Sequence, residues 1–276
     1  MHQPKTVMAT ALLLLAVGGP VAVSAQFPST TDSLLHCPLA PGQAVVFYLY
    51  HSGWAVRTAE HFLVFDYIET GRPEEARTFE NGWIEPERIA HLDVTVFVTH
   101  DHGDHFDGSV LRWERQLPSI TYVFGFPIAA RPRAPQFGAA REHREIGGIE
   151  VWNIHHQADG IPESAFLVRC DGVTIFHAGD HGNSATTPMR PDFRDNITYL
   201  AGLEHPVDLC FLPIWGYTEW QLAMLQARTL LPMHEGGREA RLAADADALR
   251  QSGLTLPILV PTRPGDVFSY PPSPHL

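Results

Sequence analysis

Val94-Thr-Val-Phe-Val-Thr99 runs straight into His100-Asp-His102-Gly-Asp104-His105. The first six residues are a continuous apolar, β-branched run, the pattern of a strand buried on both faces. The next six place four potential metal ligands, His100, His102, Asp104 and His105, in one short segment. Imidazole and carboxylate together suit zinc and similar ions. Strand alternation cannot bring all four to one side. A loop must therefore wrap them, with His100 and His102 facing one ion and Asp104 and His105 another. Residues 106–116 look helical, and the positive end of that helix would adjoin the loop.

Further donors recur where other apolar runs end. Ile149–Ile154 leads into His155, His156 and Asp159. Val173–Phe176 leads into His177-Ala-Gly-Asp180, and Leu230–Met233 into His234. Donors at the same end of several strands are what a metal site between two sheets requires. The runs Ala44–Tyr50, Trp54–Thr58 and His61–Tyr67 are spaced for hairpins. Residues 120–126, 207–215, 257–261 and 266–270 also read as strands. Residues 165–169 and 173–177 read as a hairpin around Asp171-Gly172. Residues 86–92, 193–203, 218–228 and 237–252 read as helices, the third capped by Thr218. Residues 127–145, rich in Pro, Arg and Ala, read as a loop with one helical turn. Hairpins followed by strand–helix alternation predict an α/β fold of two face-to-face sheets with helices outside, rather than a doubly wound sheet.

Residues 1–25 stand apart. Lys5, the apolar Ala9–Val17 and the small Val23-Ser-Ala25 have the layout of a secretory signal peptide cut after Ala25. Gly18, Gly19 and Pro20 interrupt the apolar run too early for a membrane span. The expected mature chain, 26–276, is a single domain, secreted or periplasmic, without a membrane anchor. The full chain has 19 Lys and Arg against 31 Asp and Glu, a net charge of −12, and losing Lys5 makes it one unit more negative. Such a surface repels nucleic acid and anionic membranes. It does not exclude a small anionic substrate where bound cations dominate the local field. Three cysteines, Cys37, Cys170 and Cys210, form no disulfide framework, and the apolar settings of the last two point to buried thiols.

Together, His100-x-His102-x-Asp104-His105, the segment 155–159, His177-Ala-Gly-Asp180, Pro232-Met-His234 and Phe65-Asp66 resemble the metallo-β-lactamase superfamily over nearly all of residues 44–270. The His-Ala-Gly-Asp form is similar to the broad branch of metal-dependent hydrolases, with its sugar-lactone and phosphodiester enzymes, rather than to true β-lactamases. The resemblance implies a four-layered αββα sandwich with the site at the sheet edge. It implies His100 and His102 on a first metal and Asp104, His105 and His234 on a second. Asp180 would bridge the two, with a hydroxide between the ions attacking a carbonyl or phosphorus centre. Asp104 and Asp180 are then the catalytic carboxylates. The implied cofactor is one or two zinc ions, with Mn2+ or Fe2+ as alternatives.

The family normally carries a His after the strand that here ends at Ile154. This chain offers His155, His156 and Asp159, of which His156 is favoured, with Asp159 close behind. Asp66 is expected to support ligands rather than bind metal, and His177 to support or pack. His51 and Trp54 sit on a hairpin loop that overhangs the site in this family. With His181 and Trp215 they are candidate substrate contacts. A packed Trp54 and a core-edge aromatic cluster at Trp215 are the alternatives. His143, His205 and His275 read as surface residues. The implied function is exported, metal-dependent hydrolysis of an ester, lactone, amide or phosphodiester in a small molecule. The alternatives are a di-iron redox centre on the same scaffold and a non-catalytic binding protein. Nucleic-acid processing is disfavoured by the acidic surface and the leader.

Overall fold

The computed structural model describes residues 30–73, 75–131 and 133–271. The signal-peptide segment and His275 lie outside the described residues. One sheet is built from β1 (Ala44–Tyr50), β2 (Gly53–Arg57), β3 (His61–Phe65), β4 (Asp93–Val98) and β5 (Ile120–Phe124). The other holds β6 (His143–Ile146), β7 (Ile149–Ala158), β8 (Ile161–Cys170), β9 (Val173–His177), β10 (Leu209–Pro213) and β11 (Leu230–Met233). The last strand, β12 (Val267–Tyr270), returns to the first sheet beside β1. Both sheets begin with antiparallel hairpins and finish with parallel strands, β3-β4-β5 in one and β9-β10-β11 in the other.

Side-chain alternation divides the first sheet into two faces. Val46, Tyr48, Val56, Leu63, Phe65 and Phe97 join the core shared with Val151, Phe166 and Phe211 of the second sheet. Val45, Phe47, Leu49, Val94, Val96 and Val98 point the other way. They pack with Leu34 and Leu35 of α1 (Thr31–His36), Ile89 of α2 (Pro86–Ile89) and Trp113. On the far side of the second sheet lie α3 (Pro191–Ala201), α4 (Thr218–Met224) and α5 (Glu239–Gln251). Phe193, Ile197 and Leu200 recur at helical spacing and are buried, so one stripe of α3 faces the core. The layers are those of an αββα sandwich, as the resemblance implied.

Several expectations need correction. Residues 108–115 form a 3-10 helix after Asp107, whose carboxylate caps Ser109 N–H, and not an α-helix from Phe106. Residues 257–261 form no strand and contribute one isolated bridge, Ile258 to Leu230. Tyr217, in a left-handed conformation, rather than Thr218, occupies the cap of α4. Most consequential, β7 does not stop at Ile154. It runs to Ala158 and pairs with a β8 that starts at Ile161, so His155 and His156 lie within the strand and not beyond its end. The turn is Asp159-Gly160, with φ +45° and +91°. Two positive φ values in a two-residue hairpin loop are what the right-handed strand twist favours. The cysteines are free, with Cys170 and Cys210 buried.

At the end where β3 begins, the sheets are tied by a polar clamp. His61 Nδ1 lies 3.1 Å from Asp171 Oδ2, and His61 Nε2 lies 3.2 Å from Gly147 O. Both ring nitrogens thus face acceptors, which favours the imidazolium. The neighbouring Cys170 and Asp171 push the His61 pKa up to about 10, against the effect of burial. Because the folded value lies above the ordinary 6.5, the stabilisation is complete below about pH 6.5 and is lost as pH rises through about 10. His61→Gln is expected to destabilise the fold by about 1–3 kcal/mol at pH 6. The gap from wild type should shrink in denaturant titrations repeated toward pH 10. A gap that widened with pH would refute the clamp.

Candidate metal centre

The opposite end of the sandwich collects the donors. Asp66 follows β3, His100 follows β4, Asp180 lies just past β9, Trp215 just past β10, and His234 directly follows β11. All leave the carboxyl ends of parallel strands, where open α/β sheets place their sites. The β1–β2 turn adds His51, and the carboxyl-terminal part of β7, next to the edge strand of the second sheet, adds His156.

Asp180 is at the middle of the arrangement. Its Oδ1 lies 3.1 Å from His105 Nε2 and 3.0 Å from His234 Nε2, while Oδ2 lies 3.7 Å from His100 Nε2. One carboxylate oxygen therefore faces each group of histidines. Ligand atoms of His100, His105 and Asp180 lie within 4.8 Å of one another, and so do those of His51, Asp104, His105 and His234. Asp104 is half exposed at the rim, its Oδ2 3.9 Å from His234 Nε2.

Hydrogen-bond accounting shows which nitrogens are free to bind a cation. Asp66 is fully buried. Its Oδ1 accepts Thr99 N–H at 2.8 Å, and its Oδ2 accepts Thr99 Oγ1–H at 2.7 Å and His105 Nδ1–H at 2.8 Å. His105 thus carries its proton on Nδ1 and keeps the Nε2 lone pair. Thr99 Oγ1, having given its proton to Asp66, accepts from His100 Nδ1 at 3.0 Å, and this frees His100 Nε2. Such outer supports fix ring orientation and tautomer in metal sites. His51 is the opposite case. Its Nδ1 accepts Gly236 N–H at 3.1 Å, so its proton sits on Nε2, 3.4 Å from Asp104 Oδ2. His51 lies among the potential ligands, yet with its proton on Nε2, an atom without a hydrogen-bond partner among the described residues, it presents no lone pair. Its carbonyl also accepts His234 N–H at 3.1 Å, so it holds both neighbours in place. His234 has φ +75°, a strained value for a non-glycine residue, and strain of this kind collects at functional sites.

The donor set fits a metal ion. His100 Nε2, His105 Nε2, His234 Nε2 and Asp180 Oδ1 are buried and have no hydrogen-bond partner among the described residues. Orphaned buried polar atoms are costly, and four of them converging is explained by a cation at their centre. The field agrees. Burial opposes the charged forms, yet Asp180 and Asp66 raise the His105 pKa well above its usual value, while His105 and His234 hold the Asp180 carboxyl well below the usual range. A field that attracts a proton this strongly also attracts a divalent ion, and metal and proton compete for the same atoms.

The remaining candidates divide. The His102 ring stands edge-on to His100 at 4.7 Å, but its nitrogens join neither converging set. His156 is buried on the site side of β7 and, like His102, joins neither set, whereas His155 points to the other face, toward Ser164 Oγ at 3.4 Å. Asp159 is exposed at the hairpin turn and borders the cleft without joining a donor set. Trp215 stands edge-on to His234 at 4.9 Å and lines the same cleft. Two substrate-contact expectations are overturned. Trp54 is fully buried between the sheets, 4.9 Å from the Tyr48 ring and 5.1 Å from Phe211, because its place on β2 turns it inward. His181 is fully buried against Phe193, with Nε2 3.2 Å from Asn196 Nδ2, and burial pushes its pKa down to about 3. His177 is packed on Phe65 and bonded to Ser52 O at 2.9 Å, a support and not a donor to the centre.

Sequence reading missed Glu163. It is fully buried on β8, directly across the ladder from His156. The signal was present in Asp159-Gly160. A two-residue turn there pairs Ala158 with Ile161 and, two steps further on, His156 with Glu163.

The model of the β-lactamase superfamily domain matches residues 45–234, well over half of the chain. The chain belongs to this superfamily and is a metal-dependent hydrolase in class. A metal-dependent hydrolase of Pyrococcus abyssi is 26% identical over 204 residues, covering 68% of this chain and 82% of that one. Another, of Thermococcus onnurineus, is 24% identical over 238 residues, covering 80% and 97%. Among solved structures, a metallo hydrolase from Ignicoccus hospitalis superposes with a TM-score of 0.59 at 18% identity, covering 83% of this chain and 98% of that one. CmlA, a diiron β-hydroxylase from Streptomyces venezuelae, gives 0.50 at 17% identity, covering 81% and 53%. At these identities the structural likeness speaks to the fold alone.

Proposed function

We propose that the chain is an exported, zinc-dependent hydrolase of small molecules, acting on an ester, lactone, amide or phosphodiester. The observation that carries this reading is the Asp180 carboxylate, with one oxygen toward His105 and His234 and the other toward His100. His105, His234, Asp104 and Asp180 would hold one ion. His100 and Asp180, with His102 and His156 near them, would hold a second. Divalent ions bound there lower the pKa of water and offset negative charge at the reacting centre.

The protein's own groups do the positioning. Asp66 and Thr99 set the tautomers of His105 and His100. His51 keeps a proton beside Asp104 and steadies the His234 loop. The cleft beside Asp180, of about 170 Å3, is lined by Gln157, Asp159, Ser184, Arg190 and Trp215. It is smaller than the ~300–1,000 Å3 of drug-sized sites, which favours a compact substrate. Trp215 supplies an apolar wall, and Arg190, paired with Asp192 at 3.3 Å, lines the rim.

Among the described residues no helix is long and apolar enough to cross a membrane. Export rests on the layout of residues 1–25, and a mature protein beginning at Gln26 on N-terminal sequencing would support it. The convergent, tautomer-set donors argue against a decayed, non-catalytic site. The same donors suit iron, so metal analysis of the purified protein separates zinc hydrolysis from di-iron redox chemistry. The direct test is a panel of lactones, esters, amides and phosphodiesters. Turnover of at least one class is expected, lost on chelation and restored by zinc. A metal-loaded protein inert across the whole panel would overturn the proposal.

A further inference from the structure

We propose that Glu163 is itself a metal ligand, completing with His156 the half of the centre that contains His100. This rests on the metal-dependent reading above and adds to it a carboxylate outside the expected ligand set. Glu163 and His156 are cross-strand partners on β8 and β7, so their side chains share the face toward the centre. Glu163 Oε1 is engaged, accepting Asp180 N–H at 2.6 Å and lying 3.4 Å from His100 Nδ1. Glu163 Oε2 is not. It lies 2.7 Å from His156 Nε2, yet neither atom has a hydrogen-bond partner, because the oxygen is off the axis along which the ring nitrogen would donate.

Two unpartnered donor atoms side by side are what adjacent ligands of one cation look like. Donors ~2.1 Å from an ion and at right angles to each other lie about 3 Å apart. The carboxylate needs a cation in any case, since a buried anion without one is strongly unfavourable. Among the described residues its charged contacts are only His100 and His156, with no Lys or Arg. The chain also makes room for it. Gly179 has φ +55°, and a Cβ there would overlap Glu163 Oε1, so any larger residue would displace the carboxylate. With Asp180 Oδ2, Glu163 gives the His100 side two carboxylates. That shifts its preference from zinc toward ions that favour oxygen donors, such as Mn2+ or Fe2+.

The test is to titrate the full chain with Mn2+ alone and count bound ions by elemental analysis. Wild type is expected to hold two. Glu163→Gln keeps an acceptor for Asp180 N–H and removes only the charge. It should retain one ion and bind the other at least ~100-fold more weakly, beyond the usual loss of an outer support. His156→Ala should lose the same ion. Two ions bound to Glu163→Gln with unchanged affinity would overturn the proposal. So would tighter binding of the second ion, which would mean that Glu163 merely holds His156 away. If the variant does not fold, anomalous diffraction from Mn2+-loaded wild-type crystals decides. An ion within ligating distance of Glu163 Oε2 supports the assignment, and density only beside Asp104 and His234 refutes it. A wild type that binds no divalent ion would instead bring down the reading of the whole centre.

Discussion

Replacing Asp180 by alanine is expected to remove hydrolysis and lower metal content together. Asp180 is the only carboxylate among the described residues with one oxygen facing His105 and His234 and the other facing His100. Without it, three histidines remain with no anion between them, and both groups lose a shared ligand. The fall in kcat/KM should exceed the ~10–100-fold that follows loss of an outer support. The fold should survive, because the backbone N–H of residue 180 still reaches Glu163. Turnover, elemental analysis and circular dichroism on one preparation check all three points. Full turnover with full metal content would show that the chemistry happens elsewhere.

The second large effect is expected at Asp66, which need not touch a metal. Its Oδ2 accepts from both Thr99 Oγ1 and His105 Nδ1. In Asp66→Asn the amide nitrogen must face either the fixed Thr99 N–H or the Thr99 hydroxyl and His105, and only the second pair can rearrange to accept. The relief open to His105 is to accept on Nδ1 and carry its proton on Nε2, which removes the lone pair aimed at the centre. Metal affinity should fall by about 10–100-fold, with activity following. Asp66→Ala should go further and destabilise the fold by about 1–3 kcal/mol or more for each buried donor left unpaired. Calorimetric metal titration separates the two. A normal metal affinity in Asp66→Asn would sink the tautomer argument.

These expectations depend on different parts of the sequence record. The β4 run and the histidines after it were legible because their chemistry is local: an apolar β-branched strand, then four donors in six residues. His177-Ala-Gly-Asp180 and His234 could be joined to them because each ends an apolar run, and parallel strands in one sheet deliver such ends to one side. Trp54 and His181 were misread because sequence position near a site does not say which face a side chain takes. One residue of alternation on β2 turns Trp54 into the inter-sheet core. The 127–161 region was the least legible part. Its strands are polar at β6 and interrupted by His155-His156 in β7, so hydrophobic periodicity ends before the ladder does.

The sequence by itself determined the layer order, the superfamily and the donors that end apolar runs. These rest on apolar periodicity and on residue types, which are local properties of a chain. Only the tertiary structure decided which donors have free lone pairs, that His51 presents a proton and not a ligand atom, and that Glu163 lies buried against His156 and the Asp180 backbone. Those outcomes depend on a hydrogen bond accepted by Asp66, on others donated by the Gly236 and Asp180 backbone, and on a β7–β8 register set by the Asp159-Gly160 turn. Each is a relation through space between residues far apart in the chain or on different strands, and only the β7–β8 register leaves a local trace, in its turn residues.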